Sequence, residues 1–266
     1  MTPISPSKPL VFSSAVIAVL IATATHGQEP RQLSQAISFG AYYSNGSYGE
    51  EIDTEIRYFP ISYEANYGKW GFQLLLPYLE YTGLGNALIN IGGVTRAVAG
   101  TQATMAGGLG DAVVSLSYQI DPVTTAAPFI DFRLNVKIPT ADENKSLGTG
   151  EADYSLQIDL SQYLADSVVF ATVGYNFRGK SDLFQGLQDS AFAQVGMAHP
   201  VNERWNIGIF YDFREAASSF TAETHDIVPY FSWQLDANWT FTGLASWGFT
   251  DASADITILG QMSYRW

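Results

Sequence analysis

From Pro128 to Ile138 the chain alternates without a break. Pro128, Ile130, Phe132, Leu134, Val136 and Ile138 fall on one face, and Asp131, Arg133, Asn135 and Lys137 on the other. A period of two is the geometry of an extended strand, whose successive side chains point to opposite sides. Shifting the strand by one residue would turn its charges toward the apolar surroundings. Near a bilayer midplane that costs roughly 2–4 kcal/mol for each basic side chain. The segment has one permitted orientation.

The pattern recurs along the chain. Residues 153–164 set Tyr154, Leu156, Ile158, Leu160 and Leu164 against Asp153, Ser155, Gln157, Asp159 and Ser161. Residues 111–120 set Ala112, Val114, Leu116, Tyr118 and Ile120 against Asp111, Ser115, Ser117 and Gln119. Near 169–178 the polar partners are Thr172, Asn176 and Arg178, and near 205–214 they are Asn206, Asp212 and Arg214. The final segment opposes Ile256, Ile258, Met262, Tyr264 and Trp266 to Asp255, Thr257, Gln261, Ser263 and Arg265. Weaker alternation marks 34–43, 51–63, 70–82, 190–199, 226–235 and 239–249, bringing the count to 12.

The connections sort by length. Short turns are predicted near 65–69, 121–125, 165–166, 200–203 and 236–238, and long loops at 83–107, 139–152, 179–189 and 215–225. An even strand number, with short turns at one end and long loops at the other, is the layout of a bacterial outer-membrane barrel. A secreted β-sandwich also alternates, but it would expose the apolar faces of its outer strands to water. The expectation is an all-β fold: a 12-stranded antiparallel transmembrane β-barrel over residues 28–266.

Residues 1–27 read as a secretory signal peptide. A short polar start containing Lys8 precedes the uncharged run Leu10 to Ala24, and small residues follow before Gln28. Fifteen apolar residues are short for a spanning helix. The sequence of 266 residues holds 26 acidic against 13 basic side chains, a net charge of −13, and no cysteine. An acidic chain lacks the clustered Lys and Arg that neutralise phosphates, so nucleic acid is excluded as a partner. Without cysteine there is no disulfide, thiolate zinc site or iron–sulfur centre. The chain ends in the aromatic Trp266, in the manner of strands that the barrel-assembly machinery recognises. Tyr58, Tyr78, Tyr118, Tyr154, Tyr175, Trp205 and Trp239 are expected in aromatic girdles.

Gly108-Leu109-Gly110-Asp111 opens one strand, and Lys137-Ile138-Pro139-Thr140 with Leu147-Gly148-Thr149-Gly150-Glu151-Ala152-Asp153 links two others. These stretches resemble the outer-membrane barrel family named after the meta-pathway of phenol degradation. Thr140-Ala141 stands where that family often has Thr-Gly. The resemblance implies a transporter for small, including aromatic, compounds.

Chemistry has few candidates. His199 and His225 are the histidines beyond the leader, and only His225 lies near loop serines, Ser218 and Ser219. The outer-loop group Asp142, Glu143, Asn144 and Glu151 lacks the spacing of a calcium loop. No catalytic residue, metal or cofactor is expected. The lumen-facing charges Asp111, Asp131, Arg133, Lys137, Asp159, Arg178, Asp212 and Arg214, with Asp255 and Arg265, mix both signs. They predict either a salt-bridged filling or a polar path that tunes selectivity. The glycine-rich apolar stretch 83–107 is expected to fold over or into the barrel mouth as a lid. The functional expectation is passive uptake of small molecules through an outer-membrane channel. The alternative is a closed barrel acting structurally, or at surfaces through its outer loops. Expected partners are membrane lipid, lipopolysaccharide, the assembly machinery and a small solute.

Overall fold

A computed structural model describes residues 11–13, 18–20, 33–48, 53–90, 93–124, 126–182, 186–219 and 221–266. The signal-peptide reading of residues 1–27 falls largely outside them.

Apart from a short pair, Val11–Ser13 with Ala18–Leu20, twelve barrel strands run in chain order: β1 Leu33–Gly46, β2 Thr54–Tyr67, β3 Trp70–Asn90, and β4 in two segments, Gly93–Leu109 and Ala112–Ile120. Then come β5 Phe129–Ile138, β6 Asp153–Leu164, β7 Ser167–Phe177 and β8 Ser190–Pro200. The last are β9 Trp205–Arg214, β10 Thr224–Gln234, β11 Trp239–Gly248 and β12 Ile256–Arg265. Each pairs antiparallel with its neighbours, and β12 pairs with β1 from Arg265↔Ala36 to Ile256↔Asn45, closing the barrel. Trp266 exchanges both backbone hydrogen bonds with Gln35 at 3.0 Å, so the chain's last residue seals the seam. Closure leaves the wall itself no unpaired edge, the condition for a sheet in lipid.

Apolar side chains face out and polar ones in. Phe132, Leu134 and Ile138 of β5 are exposed, whereas Asp131, Asn135 and Lys137 are buried. That inverts a soluble core and matches the sequence expectation for β5. At the short-turn end, aromatic pairs ring the rim: Trp70 with Tyr118 at 4.8 Å, Trp205 with Trp233 at 5.2 Å, and Trp239 with Tyr264 at 4.9 Å between centroids. Two turns there share one device. Asn202 Oδ1 accepts from the backbone N–H of Arg204 and Trp205, and Asp236 Oδ1 from those of Asn238 and Trp239. These backbone donors hold the exposed Asp236 carboxyl below the usual carboxylate range.

Residues 83–107 correct the sequence reading. They are not a loop: β3 and β4 continue as a ladder from Tyr78↔Leu109 to Asn90↔Gly93, with irregularities between Leu84 and Ala87. Beyond Thr82, the last β3 partner of β2, the two strands pair only with each other. Backbone groups carried beyond the wall still need partners, and a hairpin supplies them locally.

Candidate functional site

All eight charges expected to face inward lie on the inner face of the wall or at its rim. At mid-height Asp159 Oδ1 accepts from Thr172 Oγ1 at 2.6 Å and from Gln157 Nε2 at 2.7 Å. Arg133 Nε lies 3.9 Å from Asp159 Oδ2, and Gln119 Nε2 donates to Asp131 at 3.3 Å. Farther round, Asp212 takes Gln194 Nε2 and Arg214 Nε, each at 2.6 Å. Arg178 stands at the long-loop rim, its Nη1 donating to the Gln188 carbonyl at 2.7 Å and Ser190 Oγ at 2.8 Å. Asp255 departs from expectation: it is exposed in the connection before β12, where the strand's alternation has not begun.

The third group is built from the motif residues. Lys137, 1% exposed, places Nζ 2.9 Å from Asp153 Oδ2, 3.3 Å from Asp111 Oδ2 and 2.8 Å from Thr149 Oγ1. Each carboxylate spends its other oxygen on a loop backbone. Asp111 Oδ1 accepts from Ala141 N–H at 3.0 Å and Asp153 Oδ1 from Gly179 N–H at 2.8 Å. Thr140 Oγ1 accepts from Ala112 N–H and donates to the Gly110 carbonyl. Gly148 must lack a side chain, because a Cβ there would strike the Asp111 carboxylate and Ala141. The motif thus fastens 139–152 to three strands. Ser181 Oγ, donating to the Thr149 carbonyl at 2.8 Å, ties the next loop to it.

The fastened loop carries Leu147, 2% exposed, into a patch of inward-facing Tyr42, Ile56, Tyr58, Leu79, Tyr81 and Leu259. Segment 139–152 thus reaches the inward face of the wall through Leu147. A second inward patch, nearer the short turns, gathers Val168, Phe170, Ala198, Phe210, Val228 and Tyr230, and Leu244 packs against both. Sequence reasoning missed these patches. Tyr58, assigned to an outer girdle, is 4% exposed and points into the barrel. The available signal was the poor alternation of 51–63 and 70–82: strands apolar on both faces lose their period.

The two histidines singled out in the sequence take separate partners on the wall. His225 Nδ1 bonds to the Tyr211 hydroxyl on the outer face, not to Ser218 or Ser219. His199 Nδ1 lies 3.0 Å from Ser167 Oγ at the exposed short-turn rim, with no carboxylate on its ring among the described contacts. Asp142 caps Asn144 N–H and pairs with Lys145 at 3.7 Å. Among the described residues no three acids or histidines converge as a metal site.

A closed antiparallel barrel with a polar and aromatic interior, an apolar exterior and rim aromatics defines the outer-membrane class of β proteins. The family model described as "Putative MetA-pathway of phenol degradation" matches residues 45–266, and the chain belongs to that family. No curated protein sequence matches it. Among solved structures, an outer membrane channel from Pseudomonas putida F1 is 13% identical, with a TM-score of 0.65 over 90% of this chain and 97% of that one. The translocator domain of the autotransporter NalP from Neisseria meningitidis is 8% identical, with a TM-score of 0.52 over 90% of each chain. The β domain of the Bordetella autotransporter BrkA is 11% identical, with a TM-score of 0.51 over 89% of this chain and all of that one. One fold therefore carries different tasks, and the lumen must decide between them.

Proposed function

We propose that this protein is an outer-membrane channel for passive movement of small molecules, its short-turn end in the periplasm and residues 1–27 serving as the export signal. The carrying observation is the inward lining itself. Inward polar groups of β5–β9 share the barrel interior with inward apolar patches on β1–β3 and β7–β10, and a structural filler would require no such mixture. The channel from Pseudomonas putida F1 with the same fold supports the reading. The outward apolar band suits lipid, the long-loop end lipopolysaccharide, and the Trp266 strand the assembly machinery. The lumenal charges act as selectivity groups rather than catalytic ones.

A second reading is favoured by the Lys137 cluster. A mouth bolted through Asp111, Asp153 and Thr149 suits a closed barrel with a structural or surface role. Planar-bilayer recording separates the two. The channel reading expects discrete potassium currents from the wild type, and a conductance at least doubled in Leu147→Ala, which shortens the side chain seated in the mouth. Silence from both proteins, each folded by heat-modifiable gel mobility, supports the closed barrel.

A further inference from the structure

On the outer face of β3–β7 a trough of about 550 Å³ opens toward lipid, and almost all of its lining is apolar. Its upper wall is the outward register row Leu116↔Leu134↔Leu156↔Tyr175. Its lower wall is the next outward row, Tyr118↔Phe132↔Ile158↔Val173. The floor between them is backbone at Ser117, Arg133, Gln157 and Gly174, positions that belong to the inner face. At its lower end Trp70, the first residue of β3, stands against Tyr118 at the short-turn rim. Ser117 is three residues from the short-turn end of β4 and Gly174 seven from that of β7, so the floor climbs as it crosses the wall.

The dimensions select an occupant. From β3 to β7 the trough crosses four strand spacings of about 4.8 Å, or about 19 Å in all. With strands tilted by about 35–45°, that course rises by about 12 Å. One leaflet supplies about 15 Å of hydrocarbon, half the core of a bilayer. The trough therefore starts at the interface and ends within the same leaflet, which is the course of a single acyl chain. The convex wall of a second barrel could not follow a slanted cleft down to the backbone between two rows of side chains.

The lower end adds a head-group partner. Next to Trp70, Lys69 Nζ lies 3.2 Å from Asp121 Oδ2, and both side chains are about half exposed. An ammonium has three donors and a carboxylate two oxygens, so this pair has capacity for a further partner of each sign. A phosphoethanolamine head supplies both, a phosphate oxygen for Lys69 and an ammonium N–H for Asp121. A purely anionic head would meet the Asp121 charge, and a quaternary ammonium has no N–H to donate. Trp and Tyr rings suit the ester level between them, apolar on one side and wet on the other.

The geometry points to a lipid site: the trough holds one acyl chain of a phosphatidylethanolamine of the periplasmic leaflet, its head seated on Lys69 and Asp121. For the leaflet it names, the inference rests on the orientation proposed above; it does not depend on conduction.

Native mass spectrometry tests this on the barrel purified in detergent and incubated with equimolar dioleoyl phospholipids bearing ethanolamine, choline or glycerol heads. The wild type is expected to retain one phosphatidylethanolamine, threefold or more over either other lipid. Val173→Trp fills the trough from its lower wall and Leu156→Trp from its upper, and each is expected to cut retained lipid at least fivefold. Val195→Trp, on the outward face of β8 and outside the trough, keeps wild-type retention. Lys69→Gln with Asp121→Asn keeps a bound lipid but brings the three heads to parity. Heat-modifiable gel mobility verifies that each variant is folded. No retained lipid in the wild type, or retention indifferent to both fillings, overturns the site. Equal retention of the three heads by the wild type overturns the role of the Lys69–Asp121 pair. A dimer that Val173→Trp dissolves, in place of a bound lipid, overturns the proposal in favour of a second copy. Antibody access on intact cells to an epitope inserted after Val201 overturns the choice of leaflet. Potassium currents judge the channel reading separately, so its failure leaves the lipid result standing.

Discussion

The inner faces of β5–β6 and of β2–β3 belong to one barrel and obey opposite rules. On β5 and β6 every inward position is polar or charged save the ends, from Asp131 to Lys137 and from Asp153 to Ser161. On β2 and β3 the inward positions include Ile56, Tyr58, Leu75, Leu79 and Tyr81, as apolar as the Phe59, Ile61 and Leu76 that face outward. The first wall is held by charge-assisted hydrogen bonds whose partners must all be present. The second is held by packing, which tolerates exchange of one apolar side chain for another. A barrel needs only its outer face to be apolar, so the apolar inner face goes beyond what closure in lipid requires, and Leu147 leans on it.

Two substitutions and one deletion break or sharpen this contrast. The largest effect belongs to Lys137→Met, which leaves Asp111 and Asp153 facing each other without their cation. Removing one partner of a buried pair costs about 3–5 kcal/mol. The expected results are a midpoint of urea unfolding in detergent well below the wild type's, and a mouth open enough to raise potassium conductance several-fold. An unchanged midpoint would show that the lock holds nothing. Asp159→Asn comes next. It keeps an acceptor for Thr172 and Gln157 but removes a charge from the polar wall, so the potassium/chloride permeability ratio falls two- to threefold with little change in stability. An equal shift from Leu79→Met, on the apolar wall, would erase the distinction between the walls. Deleting residues 86–104 is expected to do least. The hairpin pairs with itself beyond Thr82, so unfolding midpoint and conductance should stay within error. A conductance change there would return the lid role to that segment.

Much of the charged wall was legible in the sequence. Alternating Asp131, Arg133, Asn135 and Lys137 leaves one orientation, because charge in lipid is expensive. Ranking 51–63 and 70–82 as weak strands was sound by the same logic, yet their lack of contrast was the trace of the apolar inner wall. Tyr58 went to the wrong side for that reason. The stretch 83–107 misled in another way. Its glycines suggested a loop, but backbone pairing rather than side-chain pattern decides such a segment. Leu147 carried no signal in isolation: within Leu147-Gly148-Thr149-Gly150 it reads as a motif letter, and only its seat beside Tyr42, Tyr58 and Leu79 gives it a role.

The sequence by itself determined the strand number, the sidedness of the alternating strands and, outside 83–107, the sorting of short turns from long loops. Each of these is local: a side chain's face follows from its parity along one strand. The arrangement of the inward side chains is not local. Tyr42 meets Leu259, and Asp159 meets Thr172, only because the stagger between strands takes particular values, and that stagger is set jointly by closure and by packing around the whole ring. Only the tertiary structure could gather separate residues from strand after strand into two inward apolar patches and a polar wall.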